Sequence, residues 1–261
     1  MSRAAALVLP LVLFACVGLV RAQGNLAHLT YGGGYTSTFT FVNQDITNPA
    51  NATIYFYNDD GSAATVPLDG VSTPSPHNFT IPANGSTTFV LADDGLANSP
   101  WGWAQLVVTD SGPVNGQLTF RRSASASAPA TETVVPLGGI QTACLLPLPG
   151  ATPVTIIPFD NTTGVHGTAI ALANTTSVAL KLTFEFDDPA GKPISTHANV
   201  SLGAKNHTAW LMTASNEYPE TTNKVGTMRI TGMSYSSDLA VVALLFNTAS
   251  NTLTTVLPIT Q

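Results

Sequence analysis

Two acidic doublets stand in similar settings: Asp59 and Asp60 in "IYFYNDDGSA" (54–63), and Asp187 and Asp188 in "LTFEFDDPAGKP" (182–193). Adjacent carboxylates after an aromatic run fit three chemistries: a general acid and base, a calcium site, or a turn. Calcium needs about six or seven oxygen ligands, and "NDDGSAA" lacks the further spaced acids of an EF-type loop. Asp, Asn, Pro and Gly instead build turns, through side-chain capping, a preset φ and tolerance of positive φ. The doublets are therefore expected in exposed hairpin turns, where exchange for Asn changes stability little.

The other reactive residue types do not converge. His28, His77, His166, His197 and His207 are scattered, with no His-x3-His or Cys-x2-Cys spacing for zinc. No Gly-x-Ser-x-Gly elbow occurs, and "YGGGYT" (31–36) lacks the Lys-Ser/Thr ending of a phosphate loop. No catalytic residue, metal ligand or cofactor is assigned, and an enzyme is not expected. Tryptophan offers a sharper candidate. Trp101 and Trp103 alternate with Ala104, Leu106 and Val108, so they share the strand face opposite the core. Two exposed rings about 6.8 Å apart would form a stacking platform for sugar rings or an aromatic anchor for a partner. The competing expectation is that the rest of the chain covers them. Trp210 aligns with Phe89 and is read as a core aromatic.

Composition points outside the cell. Charged residues make up 9% of the 261, against an ordinary share of about a quarter. Thr, Ser, Asn and Gly carry the polarity. Arg3 followed by the apolar stretch 4–20 and by Val20-Arg21-Ala22 reads as a secretory signal cleaved before Gln23. A transmembrane anchor competes, but this stretch has 17 residues and contains Pro10, at the short end of the spanning range. "LFAC" at Cys16 resembles a lipobox, although Phe14 is bulky for it and no polar tether follows. Removing Arg3 and Arg21 takes the basic count from 9 to 7 against 15 acids, a net charge of about −8. That charge argues against nucleic acid, whose binding depends on Lys and Arg. It also leaves Cys144 alone, without a disulfide partner and flanked by apolar residues. Seven Asn-x-Ser/Thr sequons, from Asn51 to Asn206, matter only in a glycosylating host.

The elements that position these residues repeat. "TSTFTFVN" (36–43) matches "GTAIALAN" (167–174), and "FTIPANGSTTFVL" (79–91) matches "VSLGAKNHTAWLM" (200–212). "IYFYNDDG" matches "LTFEFDDPAG", "GWAQLVV" matches "GTMRITG", "GQLTFRRS" matches "VALLFNTA", and "TVVPL" matches "TVLPI". The offsets stay between 121 and 131 residues, from Phe79/Val200 to Asn43/Asn174. Alternation in "ALKLTFEFD" is the period of a strand with one wet face. About seven short strands per copy, with Gly, Pro, Asn and Asp between them, call for a two-sheet sandwich.

The order "GTAIALANTT…FEFDDPAGK…LGAKNHTAWL…GTMRIT…LAVVALLFN…TVLPI" resembles a tandem β-sandwich (Ig-like) module of secreted and surface proteins of environmental bacteria. The resemblance implies export and a non-catalytic role, and it carries over no functional residues. The expected protein is all-β. It has a signal peptide (1–22), module one (23–138), an apolar Pro/Gly-rich linker (139–153) and module two (154–261). Because that linker is apolar, the modules are expected to pack together. The expected role is structural, adhesive or partner-binding, towards a protein or glycan at the cell surface, with no membrane span in the mature chain. The alternative is a carbohydrate-binding protein using Trp101 and Trp103.

Overall fold

Apolar residues alternate along the chain, and strands form where they do. Over 180–187, Leu180, Leu182, Phe184 and Phe186 are buried while Lys181 is exposed, the period of two that a pleated strand requires. The computed structural model describes residues 22–92, 99–109, 113–123, 130–141, 152–213 and 217–261. The expected signal segment up to Arg21, with Cys16, lies outside the described residues, as does Cys144.

Module one contains β1 (Ala22–Thr30), β2 (Tyr35–Asn43), β3 (Ala50–Asn58), β4 (Thr65–Leu68), β5 (Val71–Pro74) and β6 (His77–Ile81). It continues with β7 (Ser86–Leu91), β8 (Trp101–Val108), β9 (Val114–Arg122), β10 (Thr131–Pro136) and β11 (Gly138–Gln141). Module two contains β12 (Thr155–Asp160), β13 (His166–Asn174), β14 (Leu180–Asp187), β15 (Pro193–Leu202) and β16 (His207–Leu211). It ends with β17 (Val225–Thr231), β18 (Leu239–Asn247), β19 (Thr252–Val256) and β20 (Ile259–Thr260). Among the described residues, helix is confined to the single 3-10 turns Pro219–Thr221 and Ser236–Asp238, and no helix is long and apolar enough to cross a membrane.

The two modules have one strand order. The first sheet runs β11-β1-β8-β3-β6 and the third β20-β12-β17-β14-β15. The second runs β10-β9-β2-β7, extended by β4 and β5, and the fourth β19-β18-β13-β16. Neighbouring strands are antiparallel throughout. A repeated glycine marks the equivalence. A Cβ on Gly102 would overlap the Tyr57 carbonyl oxygen, and one on Gly226 the Asp187 carbonyl oxygen. A repeated asparagine does the same at the end of β2 and of β13. The buried Asn43 amide donates to Asn48 O (2.8 Å) and accepts from Asp45 N (2.9 Å). The buried Asn174 amide donates to Val178 O (2.7 Å) and accepts from Thr176 N (2.9 Å).

Register bears out one detail of the sequence alignment and corrects two. Phe56 pairs with Ala104 as Phe186 pairs with Met228, so β3 aligns with β14 at the 130-residue offset of Gly61 and Gly191. Ser37 faces Phe120 and Thr168 faces Leu245, so Leu245 rather than Phe246 is the counterpart of Phe120. The expected linker also begins late. Gly138–Gln141 adds to the edge of β1 instead of crossing between modules, because the free β1 edge presents backbone groups that need partners.

Each module closes on an apolar core, but the two cores are unequal. Module two buries Ile157, Ile170, Leu172, Phe184, Phe186 and Ala243 between the third and fourth sheets. Module one's core, built on Phe39, Phe41, Phe56, Leu106 and Leu118, extends into module two through Ala171, Ala173, Ala240, Val242 and Leu244. Those five residues alternate with Ile170, Leu172 and Ala243, so β13 and β18 are buried on both faces. β1 packs on β13, β16 and β18, and β8 packs on β16. The four sheets therefore stack in the order second, first, fourth, third.

Candidate functional site

The chemically able side chains gather where the first sheet meets the fourth. The turn after β3 carries Asp59, and the turn before β16 carries Lys205 and leads into His207. Asp59 accepts twice from His207: the carboxylate takes Nδ1–H at 2.6 Å and the carbonyl takes the backbone N–H at 3.0 Å. A carboxylate can only accept, so Nδ1 of His207 carries its hydrogen. Its Nε2 lies 3.2 Å from Nδ1 of His28 on β1, with the two rings stacked 5.2 Å apart. Asp59, His207 and His28 thus form a chain across the junction. His28 and His207 are buried, while the Asp59 side chain is 52% exposed. His28 also meets the edges of Trp101 and Phe120. Burial, aided by the neighbouring His207, pushes the His28 pKa down to about 3, since a desolvated imidazolium is disfavoured.

A second set lies beside it. The Trp103 indole N–H donates to Lys205 O at 2.7 Å, and its ring stacks on Tyr57 at 4.5 Å. Lys205, at φ 59°, turns its ammonium back over the Tyr57 and Trp103 rings, 5.4 and 5.5 Å from their centroids. That ammonium donates to Thr175 O (2.5 Å) and Gln105 Oε1 (3.4 Å), and burial lowers its pKa. Gln105 in turn donates to Asn25 at 3.1 Å. At the far edge Thr133 of β10 and Thr255 of β19 meet at 3.0 Å, and Thr255 also donates to Val134 O.

These positions correct the expected aromatic platform. Trp101 is 52% exposed but Trp103 is 0% exposed. Strand parity placed Trp103 off module one's core as expected, yet module two covers that face, so no two-ring surface is open to a sugar. Trp210 packs against the module-two core, 6.3 Å from Phe184.

The acid doublets do form turns, and they are not equivalent. Asn58 N–H donates to Ser62 O as Asp188 N–H donates to Lys192 O. Asp60 accepts from the Ser62 hydroxyl at 2.5 Å and from Ser62 N at 2.9 Å, and these bonds hold its pKa low. Asp188 accepts from Ala190 N and Lys192 N, both at 2.9 Å. Gly61 and Gly191 supply the φ of 81° and 75°. Asp188 therefore matches Asn58, and Pro189 stands where Asp59 stands. Only the first turn is a clasp. Besides the Asp59 contacts, Asn206 oriented with its nitrogen inward donates to Asp60 O at 2.8 Å. A Cβ on Gly61 would overlap Ala204 O. The expectation that Asp59 is a turn residue alone is corrected accordingly.

Two other histidines hold acids. Glu220 Oε1 accepts from His197 Nε2 at 2.6 Å and from Ser195 Oγ at 2.8 Å. Burial raises the Glu220 pKa, but the bonds from His197 and Ser195 outweigh it and the net shift is downward. The serine bonds the carboxylate rather than the imidazole, so this trio does not activate a nucleophile. His166 Nδ1 meets Asp160 Oδ2 at 2.8 Å. There burial again raises the acid, and Thr162 and His166 more than reverse it. Among the described residues no three His, Cys, Asp or Glu side chains gather as a metal site. Two sequon asparagines, Asn161 and Asn174, are fully buried and bonded within the fold.

The fold and this junction define a tandem antiparallel β-sandwich protein whose modules share a core. No family model, no curated protein and no solved structure matches the chain. Reading the sequence alone missed His28, His207, Lys205 and Asp59 as one assembly. One signal was present: prolines stand at the matching places of module two, Pro158 where β1 bulges at Ala27 and His28, and Pro189 where Asp59 stands.

Proposed function

We propose that the protein is exported and acts, without enzymatic activity, as a structural or partner-binding scaffold at or outside the cell surface. The observation that supports this most is the junction itself. Asp59, His207, His28, Lys205 and Trp103 all bond across it, and module one's core runs through it. Groups that could do chemistry hold two sandwiches in one orientation. Such a body offers a partner a surface of fixed geometry, which lowers the ordering cost of binding. The N-terminal segment and the low charge support export. A protein or glycan of the cell surface is the partner class.

The test is expression of the full chain in a secretion-competent cell, followed by fractionation and intact-mass measurement. Export with a new N-terminus at Gln23 is expected. The mature protein should then retain a component of a cell-envelope extract at micromolar concentration, and a glycan array separates saccharide from protein partners. Retention in the cytosol with Met1 intact would overturn the reading.

A further inference from the structure

The junction is held by smaller apolar side chains than either core. Module two brings Ala171, Ala173, Ala240, Val242 and Leu244 to it, and alanine buries little area. Each sandwich closes separately on phenylalanine: Phe39, Phe41 and Phe56 in one, Phe184 and Phe186 in the other. Polar bonds carry much of the seam, and one of them depends on a single hydrogen. Nδ1–H of His207 is committed to Asp59. Nε2 of His207 therefore holds a lone pair, and Nδ1 of His28 supplies the hydrogen in their 3.2 Å contact.

This chain can take one more proton and no second. With the first, the shared hydrogen moves from His28 Nδ1 to His207 Nε2, and the incoming proton sits on His28 Nε2. His207 is then an imidazolium facing the Asp59 carboxylate, and His28 stays neutral. A second proton has only Nδ1 of His28 left. Two N–H groups would then point at each other across 3.2 Å, on two cations with one carboxylate between them. We propose that His28, His207 and Asp59 form a proton-operated latch, which a first proton leaves closed and a second opens, so that the two sandwiches part while each stays folded.

The surroundings offer the second proton no compensation. From β8 and β9, His28 meets the rings of Trp101 and Phe120, and β13 and β18 face β1 with the alanines, Val242 and Leu244. Among the described residues, the charged group that acts on His28 is His207; Arg121 and Arg122 of β9 and Glu132 of β10 do not. Asp60, beside Asp59, bonds Ser62 instead. Lys205, two residues before His207, has its ammonium on Thr175 O and Gln105.

Two indoles report the seam and a core separately. Trp103 N–H donates across the junction to Lys205 O at 2.7 Å, and Trp210 N–H is buried against the module-two core. Hydrogen exchange of both, followed by NMR on the full chain from pH 7 to 3, is the test. Opening takes up one proton that the closed latch refuses. Trp103 protection is therefore expected to fall about tenfold per pH unit below 6.5, toward the value of about 3 to which burial pushes His28. Trp210 should stay protected after Trp103 has lost protection. His28→Gln should flatten the Trp103 slope. Asp59→Asn should steepen it, because the closed form then lacks the charge that balances the first proton, and this variant carries the test should His28→Gln fold poorly. A Trp103 protection that stays flat to pH 3, or one lost together with that of Trp210, would overturn the latch. An unchanged slope in the two variants would overturn it as well. The latch rests on the junction and not on export, so the N-terminus of the exported chain is a separate result.

Discussion

Module one and module two share a strand order and differ in which outer face is apolar. On the fourth sheet Ala169, Ala171 and Ala173 stand across from Leu244, Val242 and Ala240. The same register in module one sets Thr38, Thr40 and Val42 across from Thr119, Gln117 and Asn115. The opposite sheets reverse the contrast. Module one turns Tyr57, Trp103 and Gln105 toward the junction. Module two carries Asp187, Thr227 and Arg229 at those positions, and Arg229 there pairs with half-exposed Glu185 at 3.2 Å. Each module has one sticky outer face, and the two are not the same face. A shared fold therefore does not dictate how a tandem pair docks. The composition of the outward positions does, because buried apolar area contributes roughly 25 cal/mol per Å2 and polar faces prefer water.

Equivalent substitutions in the two modules should have unequal effects, and the largest gap belongs to Trp103 and Thr227. Trp103→Ala removes a buried ring, its bond to Lys205 and its stack on Tyr57, and is expected to cost about 3–5 kcal/mol. Thr227→Ala at the matching site should stay within about 0.5 kcal/mol. Urea melts of both variants decide the matter, and equal losses would break the contrast between the outer faces.

Acid should weaken the junction next. His28 has a folded pKa of about 3 against an ordinary 6.5. Its burial as the neutral ring therefore stabilises fully above pH 6.5. As pH falls from 6.5 toward 3, the unfolded chain binds a proton that the folded chain refuses. Stability should drop by about 1.4 kcal/mol per pH unit in that window. Melting of wild type and His28→Gln across pH 4 to 7 isolates the effect, because the variant lacks that slope. Module two carries Pro158 opposite Thr227, where module one sets Ala27 and His28 opposite Trp103, and a slope that survives in His28→Gln would place the acid sensitivity elsewhere.

The smallest difference separates the turns. Asp59→Asn loses the charge that faces His207 and should cost about 1 kcal/mol, since the carboxylate is half open to solvent. Asp188→Asn keeps an oxygen for the Ala190 and Lys192 amides and should change stability by less than about 0.5 kcal/mol. A thermal-melt series with both single variants sharpens the assignment of the first turn as the clasp.

Much of this was legible in residue patterns. Alternation in 180–187 announced a one-sided strand, Gly102 and Gly226 announced matched registers, and Asn-Asp-Asp-Gly announced a turn. The continuous apolar runs "IALA" and "LAVVALL" were a further sign. Strands buried on both faces lose alternation, and these two form the module junction. The candidate pair Trp101 and Trp103 shows the limit. Parity placed both rings off the core but could not say what lay above them.

By itself, then, the sequence determined the strand period, the turn chemistry and the duplication, because each is carried by neighbours or by recurrence along the chain. Only the tertiary structure decided that Trp103 is covered, that Asp59 clasps His207 and that His28 stays neutral. Those contacts join residues 102, 148 and 179 positions apart. Whether such residues meet depends on which outer faces pack, and that is settled by the summed burial of many side chains at once, not by any local pattern.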